Sequence, residues 1–235
     1  MPDKNPQPDP ELGPRPVAWI TWALIGSTFA VYFVQLYEFH LHGRDVVGDA
    51  LAFGPQAWAT HRYWTLLTYA WVHGVTMFGG WSFAWLHIVI DMMFLFFFGP
   101  MLEEYIGHRR YLGLYLGGVI VSALVWVFFN TDPQESIIGA SGAVCAVIAG
   151  VGTAGEKVKM DVYSLFFPTF QITLRTLVLA IFALEVLQMI AEWLLYKVVA
   201  PSYLTGLPGI GHTAHLGGAL FGFIYVSVIR YIYRK

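Results

Sequence analysis

Apolar residues fall into six blocks along the chain: Val17–Leu36, Ser82–Met101, Tyr111–Phe129, Ala140–Ala154, Leu174–Leu195 and Ile210–Tyr231. A helix needs about 20 apolar residues to cross a bilayer, so the pattern predicts an all-α membrane protein with six transmembrane helices. The first block is as long as a full span and lacks a small-residue cleavage site at its end, so it reads as an anchor. Between the first two blocks, Tyr37–Trp81 clusters Trp58, Tyr63, Trp64, Tyr69 and Trp71. It is too apolar for a free loop and too interrupted for a span. Amphipathic structure lying in the membrane interface is the expectation, because Trp and Tyr are favoured there.

Charge orients the six spans. One side carries Lys4, Arg15, Arg109, Arg110, Lys157, Lys159, Arg175, Arg230, Arg234 and Lys235, which is 10 of the 13 Lys and Arg. The positive-inside rule puts that side, and both termini, in the cytoplasm. An odd number of spans would scramble the partition. Residues 1–16 are polar and hold six prolines, as expected of a disordered cytoplasmic tail; residues 17–235 form one membrane domain. Charged residues are 12% of the chain, about half the share of a soluble domain. No Lys/Arg-rich run points to nucleic acid. Cys145 is the single cysteine, which excludes an internal disulfide and a zinc site built on cysteines.

The fourth block is short. Its 15 residues make about 22 Å of helix against a hydrocarbon core of about 30 Å. Glu156, Lys157 and Lys159 anchor its far end on the cytoplasmic side. The helix therefore starts below the opposite surface, and Asn130–Gly139 must dip into the membrane to reach it. Ser141 stands at that sunken start.

The fourth span opens with Gly139-Ala140-Ser141-Gly142. A serine at a helix start has free backbone N–H groups nearby that can stabilise an oxyanion. The same four residues also suit a helix cap or a seam between packed helices. The sixth span opens with Gly211-His212-Thr213-Ala214-His215, followed by Gly218 and Gly222. A histidine inside a span is a functional candidate by default. His215, Gly218 and Gly222 share one helix face, and its glycines admit a close neighbour. With the fourth span as that neighbour, His215 meets Ser141, the minimum for an activated nucleophile. No acid is evident as a third member, so a dyad is expected. His212, one turn nearer the water, reads as a surface-side polar residue. His87 and Asp91 share a face of the second span, as a structural pair or as donors to a reacting carbonyl.

These motifs, each on its own helix, resemble the rhomboid protease family. The family carries Gly-x-Ser-Gly opening its fourth span, Ala-His-x-x-Gly in its sixth and His-x-x-x-Asn in its second. Here they are Gly139-Ala140-Ser141-Gly142, Ala214-His215-Leu216-Gly217-Gly218 and His87…Asp91. Trp64-Thr65-Leu66-Leu67-Thr68 with Val72-His73-Gly74 is similar to the family's first loop, and Gly99–Gly107 to the end of its second span. The resemblance implies a rhomboid-like six-helix bundle with an interfacial first loop, and an intramembrane serine endopeptidase without cofactor or metal. Its substrates would be transmembrane proteins, whose helices enter laterally from the bilayer. Ser141 would be the nucleophile and His215 the base. The Ser141 N–H, His87 and Asp91 would form the oxyanion hole. A bacterial inner membrane suits the low cysteine content and compact plan.

Departures keep other readings open. Asp91 replaces the family's Asn, and an ionised carboxylate cannot donate to an oxyanion unless burial keeps it protonated. Cys145 stands where many members have an aromatic that stacks on the histidine. Val75–Trp81 reads as an insertion. A rhomboid-like pseudoprotease that binds membrane proteins is one alternative; a metal-dependent hydrolase using His87, Asp91, His212 and His215 is another. Glu103 matches a structural glutamate of the family, holding the link that follows it. Glu185, in the fifth span, is read as a buried hydrogen-bonded group in preference to a residue beside the substrate entry. His40, His42, His61 and His73 are assigned no ligand role.

Overall fold

The structure is a computed structural model that describes residues 17–75, 84–130, 132–162, 169–199 and 211–233. The proline-rich tail and most of the Val75–Trp81 insertion lie outside the described residues.

Among the described residues, six long or medium helices form a membrane bundle: α1 Trp19–His42, α5 Ala84–Ile106, α6 His108–Phe129, α7 Ser141–Ala154, α8 Leu174–Val199 and α9 His212–Tyr233. Five are long and apolar enough to cross a bilayer, and α7, with 14 residues, is the short one. At about 1.5 Å per residue it spans roughly 21 Å. It is also the innermost helix, packed by α5, α6, α8 and α9. From Gly142 to Thr153 every residue except Cys145 is buried. Such all-round burial explains why α7 is built from Gly, Ala and Val: small side chains let four neighbours approach at once. The outer helices bury one stripe and present Phe96, Phe97, Phe128, Leu187 and Phe223 outward.

The interfacial segment folds as short helices, α2 Val46–Leu51, α3 Pro55–Ala59 and α4 Thr65–Thr68, then a 3-10 turn at Tyr69–Trp71. Trp58, Tyr63 and Trp64 are exposed on it. Helix α1 outlasts its apolar block by six residues, because Glu38, His40 and His42 are compatible with helix, and ends where Gly43 turns left-handed at φ 67°. The fourth-to-fifth link is an antiparallel hairpin, β1 Lys159–Val162 with β2 Phe170–Thr173; strands this short leave little periodicity to read.

Polar clasps fix the bundle. Glu103, at the end of α5, accepts from the Ile20 and Thr21 amides at 3.0 and 2.8 Å and from Thr21 Oγ1 at 2.6 Å. Helix α1 has no side-chain cap of its own, so this carboxylate satisfies its orphan amides from across the bundle. The same carboxylate contacts His108 Nδ1, in the first turn of α6, at 2.6 Å. At the C-terminal end of α7, Arg230 of α9 donates to the Thr153 carbonyl and pairs with Glu156 at 2.8 Å.

Candidate active site

Two backbone ties and one side-chain hydrogen bond position the start of α7. Phe53 and Ile137 form an antiparallel bridge, Gly139 N donates to the Tyr69 carbonyl at 2.9 Å, and Tyr69 in turn donates its hydroxyl to the Val119 carbonyl at 2.7 Å. The interfacial segment thus holds the connection that delivers Ser141. Gly139 adopts φ +108°, and a Cβ there would lie 2.7 Å from His87 Cε1. Both the backbone conformation and the imbedded imidazole require glycine.

Helix α9 meets α7 through its glycine face. A Cβ on Gly218 would collide with the Gly142 carbonyl, and one on Gly222 with the Ala146 carbonyl. This close approach brings His215 Nε2 to 2.8 Å from Ser141 Oγ. The first amides of α7 have no intrahelical acceptor, so donors surround the same point where the hydroxyl and imidazole meet.

Two further clusters flank the pair. Glu185 of α8 reaches both α9 histidines: Oε1 lies 3.2 Å from His215 Nδ1 and Oε2 2.6 Å from His212 Nδ1. The expectation that no acid accompanies the pair is corrected here, since a carboxylate faces the imidazole nitrogen opposite Ser141. The surface-side reading of His212 is corrected too, because it is 4% exposed. Glu185 is hydrogen-bonded as expected, with His215 and His212 as its partners, but it is only partly buried, its side chain being 20% exposed.

The other cluster adds a residue that sequence reasoning passed over. His73 is fully buried, with Nε2 3.2 Å from Asp91 Oδ2. His87 Nε2 stands 3.6 Å from the same oxygen, beyond a hydrogen bond, so the nearer partner of Asp91 is His73. The Ala140 amide also points at His73 Nε2, at 3.4 Å. An ionised Asp91 calls for a proton on that nitrogen, whereas the amide calls for a bare one. Gln35 fixes the His73 backbone from both sides, accepting from its N–H and donating to its carbonyl, each at 3.0 Å. The signal available in the sequence was Val72-His73-Gly74 itself. His87 is 35% exposed while His73 and Asp91 are sealed, so His87 is the member of this cluster that faces the outside.

Donor atoms of His73, His87 and Asp91 lie within 4.8 Å of one another, as do those of Glu185, His212 and His215. Either trio could hold a metal ion. The set His87, Asp91, His212 and His215 does not converge on one point; its members divide between the two trios.

The sequence profile of the Rhomboid domain matches residues 60–232, which takes in the nucleophile motif and both histidine motifs. The chain belongs to the rhomboid family. Among curated rhomboid proteins, it is 28% identical over 144 residues to presenilin-associated rhomboid-like protein A, mitochondrial, from Danio rerio, covering 60% of this chain and 33% of that protein. It is 29% identical over 147 residues to the Homo sapiens presenilin-associated rhomboid-like protein, mitochondrial, covering 62% and 35% respectively. RHOMBOID-like protein 4 of Arabidopsis thaliana is 30% identical over 174 residues, or 71% of this chain and 34% of that protein. The matches span about a third of the length of these rhomboid relatives.

Proposed function

We propose that this chain is an intramembrane serine endopeptidase that cleaves transmembrane or membrane-proximal segments of other proteins. The observation that carries the reading is the 2.8 Å contact between His215 Nε2 and Ser141 Oγ, at the start of a buried helix in a chain of the rhomboid family. Ser141 Oγ attacks the scissile carbonyl as its proton passes to His215 Nε2. The tetrahedral oxyanion is held by the Ser141 N–H, with His87 alongside it. Collapse of that intermediate breaks the C–N bond, and the proton on His215 leaves with the amine. Water, deprotonated by the same nitrogen, then hydrolyses the acyl-serine. No step draws on a metal or cofactor.

The cation asymmetry supports both termini on the cytoplasmic side, with the start of α7 opening to the opposite side. It orients the chain in its membrane and is silent on which membrane that is. The mitochondrial location in the relatives' names belongs to those proteins, and a bacterial inner membrane remains our proposal from composition.

One observation favours a second reading. A carboxylate, Asp91, stands where the resembled family has an amide, and an ionised carboxylate there opposes an oxyanion. A pseudoprotease that binds membrane proteins without cutting them would tolerate this. Labelling of the purified protein with a fluorophosphonate, beside cleavage of a transmembrane reporter, separates the two. Labelling and cleavage that disappear in both Ser141→Ala and His215→Ala are expected. Cleavage that survives either substitution removes the Ser–His mechanism, and folded wild type that neither labels nor cleaves leaves the binding reading.

A further inference from the structure

We infer that Glu185 is the positioning residue of a Ser141–His215–Glu185 triad, an inference that rests on the endopeptidase reading above. An imidazole presents two nitrogens, and a base that takes the serine proton must present the bare one to the hydroxyl. His215 Nε2 faces Ser141 Oγ at 2.8 Å and Nδ1 faces Glu185 Oε1 at 3.2 Å. A carboxylate accepts and does not donate, so it selects the tautomer with hydrogen on Nδ1 and leaves Nε2 bare. The same negative charge stabilises the imidazolium formed when the serine proton arrives.

The carboxylate is itself held. Oε2 is fixed at 2.6 Å by His212 Nδ1, three residues before His215 on the same helix. A contact to each oxygen removes rotation about the carboxylate bond, so α8 presents Oε1 to His215 in one orientation. Cys145, one turn after Ser141, has no ring with which to hold the imidazole, and the aromatic neighbour of His215 among the described residues is His212, 6.2 Å away between ring centroids. Orientation of the base therefore falls to the carboxylate. The fit also explains the placement of an acid inside a spanning helix, where an unpartnered charge is strongly disfavoured.

The test compares wild type, Glu185→Gln and Glu185→Asp, purified in detergent, for kcat and KM on a transmembrane reporter, for fluorophosphonate labelling rate and for Tm. Glu185→Gln keeps the side-chain shape but can present an N–H to Nδ1 and so admits the wrong tautomer. A kcat lowered about 100- to 10,000-fold, with labelling slowed in step, is expected. KM should stay within about twofold, Tm should be unchanged, and Glu185→Asp should recover part of the rate. Cleavage should also resist a chelator. Wild-type kcat in Glu185→Gln overturns the inference while leaving the Ser141–His215 reading in place. Equal losses in Gln and Asp variants with lowered Tm make Glu185 a structural post, and overturn it too. Loss to a chelator that zinc restores assigns Glu185 and His215, with His212, to a metal instead. An inert wild type removes the protease reading and the triad with it.

Discussion

Gly218 of α9 lies against the carbonyl of Gly142 in space that one methyl group would fill. The separation of Ser141 from His215 is therefore set by the missing side chain at Gly218, one turn after His215, which lets α9 rest on the backbone carbonyl of the residue next to Ser141. Gly218→Ala must push the two helices apart, since the atom it meets is backbone and cannot rotate away. Overpacking of this kind costs about 1–3 kcal/mol, and the hydrogen bond at 2.8 Å lengthens with it. A lower Tm together with loss of fluorophosphonate labelling is expected; wild-type labelling in this variant would show that α9 does not set the distance.

Gly139 offers a finer perturbation. Alanine there must adopt φ near +108° and displace the His87 ring, while the α7–α9 seam stays intact. Cleavage should fall by more than tenfold, since 1.4 kcal/mol of misplacement is enough for that factor. Thermal unfolding should change less than in Gly218→Ala. The comparison of Tm with kcat across the two variants checks the assignment of His87 to the reacting carbonyl.

Asp91 faces two imidazoles, at 3.2 and 3.6 Å, and its replacement by Asn exchanges a charge for a neutral amide. If its chief task is to hold His73 and His87, Asp91→Asn weakens a charged hydrogen bond and lowers kcat/KM about tenfold, or 1.4 kcal/mol. That loss is the expected outcome. A strong rise in turnover would mean that the carboxylate opposes the oxyanion and that the natural site is a weakened one.

Glu103 is remote from Ser141, and its removal should act on stability alone. Glu103→Ala strips acceptors from the Ile20 and Thr21 amides and from His108, leaving buried donors without partners. A loss of roughly 3–5 kcal/mol follows from removing one side of a buried charged network, measured as a fall in Tm. Protein that still folds at low temperature should keep its wild-type labelling rate.

Spans, the short α7 and the meeting of Ser141 with His215 were legible in the sequence because each depends on local facts. Block length gives the span, and the spacing of His215, Gly218 and Gly222 gives the face that packs. Glu185 and His73 were not legible as site residues. Whether an acid in α8 reaches a histidine 30 residues later depends on how α8 is rotated about its own axis, which a helix apolar all round leaves unspecified. His73 sits in a segment without periodicity, and its backbone is held by Gln35, 38 residues earlier. Glu103 was expected to serve the link after it, and it does so through His108. Its larger task, the start of α1, is invisible to any local reading.

That task has a consequence in time. Thr21 and Glu103 are 82 residues apart, so at a synthesis rate of about 5–20 residues per second the ribosome needs roughly 4–16 s to bring the acceptor to its donors. Throughout that interval α1 has been made and its first amides must rely on headgroups or water. The helix acquires its permanent partner only when α5 arrives, so a segment made early is locked late, and α1 waits on a helix that the ribosome has yet to deliver.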